Sequence, residues 1–188
     1  MSVLFGPTVQ QGYVVPDLRV AMQHWIARGV GPFFFEELRG YPGTYQDEET
    51  RFDLDAAFAY SGDQQIEVIQ PLGSSTSIYS RFLDQNPKGG LQHLAFWVDD
   101  IEETLTRLDQ SGKKYVVVQR YGDRHAYLDS IDAPGVLIQL MAHNEINDEL
   151  FRVIREGSEN WDGETSPIRK IDWSTGRPVA PAPSAAIS

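Results

Sequence analysis

The chain has 188 residues, 41% hydrophobic and 11% aromatic, with a formal net charge of −11 and no cysteine. That apolar content can bury a core, so the chain reads as one large domain or two small fused modules rather than a disordered segment. The acid excess argues against a nucleic-acid partner, the missing cysteines exclude disulfides and thiolate metal sites, and no run approaches the roughly 18 apolar residues of a membrane span. No basic stretch followed by a long apolar run opens the chain, so the expected location is cytoplasmic.

Residues 8–15 alternate and carry β-branched and aromatic side chains, which predicts a strand. Pro16-Asp17 then starts a helix with Asp17 as N-cap, and Leu18, Met22, Trp25, Ile26 and Gly29 fall on one face. Gly29-Val30-Gly31-Pro32 ends that helix, and residues 33–37 read as a second strand. The stretch 40–49 reads as a polar loop whose Tyr41 and Tyr45 form a lid. A third strand at 50–60, a tight turn at Ser61-Gly62-Asp63 and a fourth strand at 64–70 complete a module over 1–72. A connector over 73–90 holds a short helix near residues 78–83. The second module, 91–143, repeats the plan: a strand at 91–98, a helix at 100–111 that buries Ile101, Leu105 and Leu108, and strands near 114–120, 123–131 and 135–142. Gly122-Asp123 and Ala133-Pro134-Gly135 supply its turns. An extension over 144–173 opens with an amphipathic helix at 146–156, with Ile146, Leu150, Val153 and Ile154 on one side. Trp161, Ile168, Ile171 and Trp173 pin the rest of it to the body. Residues 174–188, rich in proline and alanine, read as a disordered tail.

The two modules echo each other residue by residue. Gln10-Gln11-Gly12-Tyr13-Val14-Val15-Pro16-Asp17-Leu18 matches His93-Leu94-Ala95-Phe96-Trp97-Val98-Asp99-Asp100-Ile101, and Ile66-Glu67-Val68-Ile69 matches Ile138-Gln139-Leu140-Met141. Two copies of one module place four matched side chains, Gln10, Glu67, His93 and Gln139, around a shared cavity. A tandem βαβββ repeat with one polar position on the first and last strand of each module resembles the vicinal oxygen chelate superfamily, which includes glyoxalase I, methylmalonyl-CoA epimerase and the extradiol dioxygenases. The likeness is to the epimerase and glyoxalase-like branch. It is carried by Ile66-Glu67-Val68-Ile69-Gln70-Pro71-Leu72-Gly73, by Phe82-Leu83, and by the run from Gly89-Gly90-Leu91-Gln92-His93 to Asp100-Ile101, with Gly29-Val30-Gly31-Pro32-Phe33 in support. It covers about residues 8–142. The resemblance implies an α+β fold: tandem βαβββ modules forming a curved, barrel-like sheet with a central cavity, plus a C-terminal helix. It also implies a homodimer, no organic cofactor, and a divalent metal (Mn, Mg, Zn, Ni or Co) held by the quartet.

This chain departs from the family at two of the four positions. The first-strand ligand, often His, is Gln10, and the last-strand ligand, often Glu, is Gln139. Glutamine oxygens ligate a hard cation without bringing charge, which suits magnesium, manganese or calcium better than zinc or nickel. The set lacks the two histidines and one carboxylate that hold iron in ring-cleaving dioxygenases. A metal site and a metal-free, hydrogen-bonded polar cluster both fit the four residues. Gln139 also removes a family acid/base, which favours one-base isomerisation or elimination over two-base racemisation. On the strand at 123–131, His125, Tyr127 and Asp129 face the cavity if Ala126 and Leu128 face the helices. Tyr121 and Arg120 lie just before, with Arg120 a candidate for a substrate carboxylate. Phe33, Phe35, Phe58, Tyr60 and Trp97 are candidates for an apolar pocket or for plain core, Trp97 first because it shares parity with His93. His24 reads as solvated, and His143 has no obvious partner.

The expected activity is that of a glyoxalase-like enzyme on a small oxygenated substrate, aromatic or acyl. It would abstract a proton next to a carbonyl, giving isomerisation, epimerisation or elimination. Glu67 serves as base or ligand and His93 as ligand or acid, with Gln10 and Gln139 positioning oxygens and His125 and Tyr127 assisting. The alternative is a metal-free binding protein of the same fold; an extradiol-type dioxygenase stands third.

Overall fold

The computed structural model describes residues 4–130, 135–159 and 161–181. In chain order the elements are β1 (Gln10–Val14), α1 (Leu18–Ile26), β2 (Phe33–Tyr45), β3 (Glu48–Ser61), β4 (Gln64–Leu72), α2 (Ile78–Gln85), β5 (Gly90–Val98), α3 (Ile101–Gln110), β6 (Tyr115–Tyr121), β7 (His125–Ser130), β8 (Leu137–Ala142), α4 (Glu145–Glu159) and β9 (Ile168–Lys170). Residue 131 of the expected seventh strand, the turn residues Ala133 and Pro134, and 182–188 of the expected tail lie outside the described residues.

Both strand-to-helix corners use an aspartate. Asp17 Oδ1 accepts from the Val20 amide at 2.9 Å, and Asp100 Oδ1 accepts from the Glu103 amide at 2.7 Å, each satisfying an otherwise orphaned first-turn donor. Ser77 and Ser80 cap α2 reciprocally. The caps start each helix at the same point of its repeat, so α1 and α3 lie on matching stretches of the outer sheet face. Leu18 and Met22 pack on Phe33, Ala57, Ala59, Ile66 and Val68; Ile101 and Leu108 pack on Ala126, Leu128 and Leu140. At roughly 1.5–3 kcal/mol for each large side chain taken out of water, these two clusters hold the helices down.

The sheet order is β3-β4-β1-β5-β8-β7-β6-β2-β9, and β2 also pairs with β3. Eight strands therefore close into a ring. β1 and β5 pair antiparallel, so the two modules join edge to edge within one chain. The closure depends on a long hairpin. Residues 40–49 are not a loop or a lid: β2 runs to Tyr45 and β3 starts at Glu48. Gln46 and Asp47 take positive φ (51° and 65°) to make the tight turn. The hairpin tip then pairs Thr44 and Tyr45 with Arg120 and Gln119 of β6.

The C-terminal segment adds the rest. α4 packs toward β3, and the third core cluster joins its Ile154 to Phe34, Phe52, Phe58 and Tyr127 of the inner face. A Cβ at Gly157 would lie 2.4 Å from Phe34 Cζ, so α4 reaches β2 only over a glycine. β9 pairs in parallel with Phe33–Phe35. Residues 174–181, expected to lack structure, turn back through a bridge between Asp172 and Val179.

Candidate active site

The inner face of the ring encloses a cavity of about 510 Å³. Strand register gathers the quartet there. Gly12 of β1 faces Glu67 of β4 on one side and His93 of β5 on the other. Gln10 faces Ala95, which faces Gln139 of β8. The four side chains thus leave the concave face in two adjacent rows, and all four are buried.

Glu67 and His93 meet across an intervening strand, with Oε2 and Nε2 3.0 Å apart. Gly12 makes this possible, because a Cβ there would lie 1.9 Å from His93 Cε1. A register shift between Gly12 and Tyr13 leaves Gln92 as the extra residue of a β-bulge. The bulge turns Gln92 inward beside His93, which strict alternation forbids. Gln92 Nε2 donates to the Ile78 carbonyl at 3.4 Å, so its Oε1 faces His93 Nδ1 at 2.6 Å. That orientation puts a proton on Nδ1 and leaves Nε2 to Glu67. His93 is fully buried behind Glu67 and does not line the cavity, whereas Gln10, Glu67 and Gln139 do.

Gln10 Nε2 donates to Gln65 Oε1 at 2.7 Å. Gln10 Oε1 and Gln139 Oε1 are buried without a hydrogen-bond partner. Two orphaned carbonyl oxygens beside a carboxylate and an imidazole form a donor set that fits a hard divalent cation. Among the described residues, no group of three or more His, Cys, Asp or Glu is placed to hold a metal. Any metal here must use the glutamines.

The second carboxyl of the cavity is Glu36 on β2. It is only 8% exposed, and burial raises its pKa from 4.5 to about 7, with the charge of Glu67 acting in the same direction. Arg124 pulls the other way. Opposite stands a chain of phenols. Gln119 Nε2 donates to Tyr121 at 2.9 Å, Tyr121 to Tyr79 at 3.4 Å, and Tyr79 to Tyr127 at 2.9 Å. Burial holds all three phenols well above the usual tyrosine pKa. The chain spends each hydroxyl proton on the next ring except the last, which leaves the Tyr127 O–H to face the cavity. Burial, with Arg124 nearby, drops the His125 pKa to about 4, so His125 is a neutral ring at pH 7.

His125, Tyr127 and Tyr121 therefore line the cavity, while Asp129 is exposed. Phe58 lines it as well. Five other candidates do not, among them Tyr60, whose ring lies under the Arg155 guanidinium. Phe35 and Phe33 point outward into the α1 cluster, because Phe34, Glu36 and Leu38 take the inner parity of β2. Trp97 lies beyond the cavity, stacked on His143 at 4.5 Å and edge-on to Phe151 of α4 at 4.7 Å. Arg120 points away from the cavity and pairs with Glu102 of α3. His143, thought unpartnered, pairs with Asp148 at 2.8 Å. Sequence reasoning missed Glu36, Gln92, Tyr79 and Arg124. A signal for Glu36 existed in the alternation Phe34, Glu36, Leu38; the adjacent Phe35 and Glu37 blurred it.

A duplicated βαβββ ring with polar residues on its concave face is the architecture of vicinal oxygen chelate proteins. The chain belongs to the Glyoxalase/Bleomycin resistance protein/Dioxygenase superfamily, whose model matches residues 9–128. A curated relative, the ethylmalonyl-CoA/methylmalonyl-CoA epimerase of Cereibacter sphaeroides, is 29% identical over 131 residues, 67% of this chain and 90% of that protein. The mitochondrial methylmalonyl-CoA epimerase of Homo sapiens is 29% identical over 91 residues, 46% of this chain and 51% of that protein. Among solved structures, methylmalonyl-CoA epimerase from Mycobacterium tuberculosis superimposes with a TM-score of 0.54 at 23% identity, covering 79% of this chain and 96% of that one. No described helix is long and apolar enough to cross a membrane.

Proposed function

We propose that this chain is an epimerase or isomerase that moves a proton on a carbon next to a carbonyl. The observation that carries the reading is the pair of buried carboxyls, Glu36 and Glu67, in one cavity, with the Glu36 pKa at about 7. A base with its pKa near the working pH combines availability with driving force. Glu36 takes the proton from the substrate carbon. The Tyr127 O–H, polarised by the phenols behind it, donates to the oxygen on which the enolate charge develops. Glu67, oriented by His93 and Gln92, is the second carboxyl that returns a proton to the carbon. This restores the two-base route that Gln139 removes from the family's fourth position. Gln10, Glu67, His93 and Gln139 are the residues that would hold a divalent metal, which when bound supplies Lewis-acid stabilisation of the same oxyanion. Homodimer formation and cytoplasmic location belong to the same reading by family resemblance, and the epimerase relatives favour isomerisation over elimination.

The test is incorporation of solvent deuterium at the carbon next to the carbonyl across a panel of 2-methyl acids and their thioesters, methylmalonyl-CoA included. Exchange that is lost in both Glu36→Gln and Glu67→Gln supports the assignment. Undiminished exchange in both variants refutes it. A metal-free binding protein is the second reading, favoured by the closed hydrogen bonds His93–Glu67 and Gln10–Gln65, which satisfy part of the quartet without an ion. It predicts saturable binding with no exchange in any member of the panel.

A further inference from the structure

Arg124 stands in the turn between β6 and β7 and lines the cavity wall. It is half-buried. Its guanidinium donates to the Tyr41 hydroxyl and lies 5.5 Å from the centre of that ring. Arg39, also on the cavity wall, is held by Asp55 at 2.7 Å, and Arg120, four residues before Arg124, is held by Glu102. Among the described residues Arg124 forms no such ion pair. A guanidinium offers five N–H donors, and the Tyr41 hydroxyl is one acceptor. Its charge reaches the Glu36 carboxyl across the cavity without a close ion pair, and taking a cation partly out of water without such a pair is costly, a cost that an anion from outside relieves.

The rest of the wall narrows the ligand. Leu38, Leu54, Met141, Leu150 and Phe151 give the upper cavity an apolar lining, and Trp173 from the C-terminal segment covers it. Met141, Leu150, Phe151 and Trp173 lie beyond residue 128, where the family match ends, whereas Leu38 and Leu54 fall within it.

We propose that Arg124 is the anion-binding residue of this cavity and that the substrate carries a carboxylate that pairs with it, its apolar body lying under α4 and Trp173. The proposal rests on the cavity being the reaction site, and it adds the chemistry of the substrate. A planar carboxylate matches the guanidinium fork with two parallel hydrogen bonds. Beside the reacting carbon, the same cation favours the negative charge of the enolate. The carboxylate has two possible sources, a free organic acid or an acid carried on a thioester.

Calorimetric titration of the intact protein with phenylacetate, phenylacetamide and methylmalonyl-CoA separates these cases. Phenylacetate should bind at least about tenfold more tightly than its neutral amide. Arg124→Gln should erase that preference, and Arg124→Lys should keep part of it, since the charge stays and the fork is lost. Arg124-dependent binding of methylmalonyl-CoA alone assigns the carboxylate to a thioester; that of phenylacetate alone assigns it to a free acid. Equal binding of acid and amide, an unchanged preference in Arg124→Gln, or no binding of any of the three overturns the proposal. Thermal unfolding checks each variant, and if the Gln variant is unfolded the Lys variant carries the test. Binding is read without turnover, so a failure here leaves the Glu36 and Glu67 chemistry standing, and the reverse also holds.

Discussion

The two modules share a fold but bring opposite chemistry to the cavity. The first contributes both buried carboxyls, Glu36 and Glu67. The second contributes a cation, Arg124, with neutral donors and rings: Tyr121, Tyr127, and His125 held neutral by burial. On the outer face the modules stay alike, each a capped helix on an apolar patch. Repetition therefore governs the packing, where one solution serves twice. On the concave face the repeat sets the positions but not the residue types, and that face has divided into a proton-moving half and an oxygen-holding half.

Substitutions can break that division. The largest effect is expected from Glu36→Gln, which removes the base; turnover of the eventual substrate should fall by about 10²–10⁴-fold, read as kcat with thermal unfolding as control. Retention of full kcat would put the proton-moving group elsewhere.

The same variant sharpens the comparison through stability. Burial favours the protonated form of Glu36, so its contribution to stability is fully present below the unfolded value of 4.5 and is lost as pH rises through about 7. At roughly 1.4 kcal/mol per pH unit, this contribution is worth about 3 kcal/mol. Urea unfolding from pH 4.5 to 8 should show that decline in the parent and a flatter curve in Glu36→Gln. His125 acts in the opposite sense. Its folded pKa is depressed to about 4, so its contribution holds above 6.5 and fades as pH falls toward 4.

On the second module, Tyr127→Phe removes the terminal donor of the phenol chain. It should lower kcat by about 10²-fold while leaving the rings packed, with KM little changed. A change confined to KM would make Tyr127 a binding residue only. The smallest effect tests the contact that joins the halves. Gly12→Ala drives a methyl into the His93 ring and should cost about 1–3 kcal/mol of stability, measured by denaturant unfolding. An unaltered stability would mean that His93 moves aside freely and does not fix Glu67.

Much of this architecture was legible in the chain. The matched strand-Asp-helix corners foretold both caps, and the alternation of Ala126 and Leu128 with His125 and Tyr127 foretold which face of β7 meets the cavity. The quartet was brought into two adjacent rows by register alone. What escaped was set by backbone events with weak local signatures. The β2–β3 hairpin turns on Gln46-Asp47, with no glycine to mark it, so its strands looked like a loop. Gln92 faces inward only because of a bulge. Trp97 has the right parity but sits past the cavity's end under α4. Glu36 lies in an acidic pair whose inward member only pairing with β3 reveals.

The central claim is that Glu36 is a buried carboxyl poised near neutrality. It is tested most directly by following the carboxyl carbons of ¹³C-labelled glutamate by NMR from pH 4 to 9, with Glu36→Gln to assign the signal. A midpoint near 7 that vanishes in the variant is the predicted result. A Glu36 midpoint at about 4.5, the value of an ordinary exposed glutamate, would contradict the account.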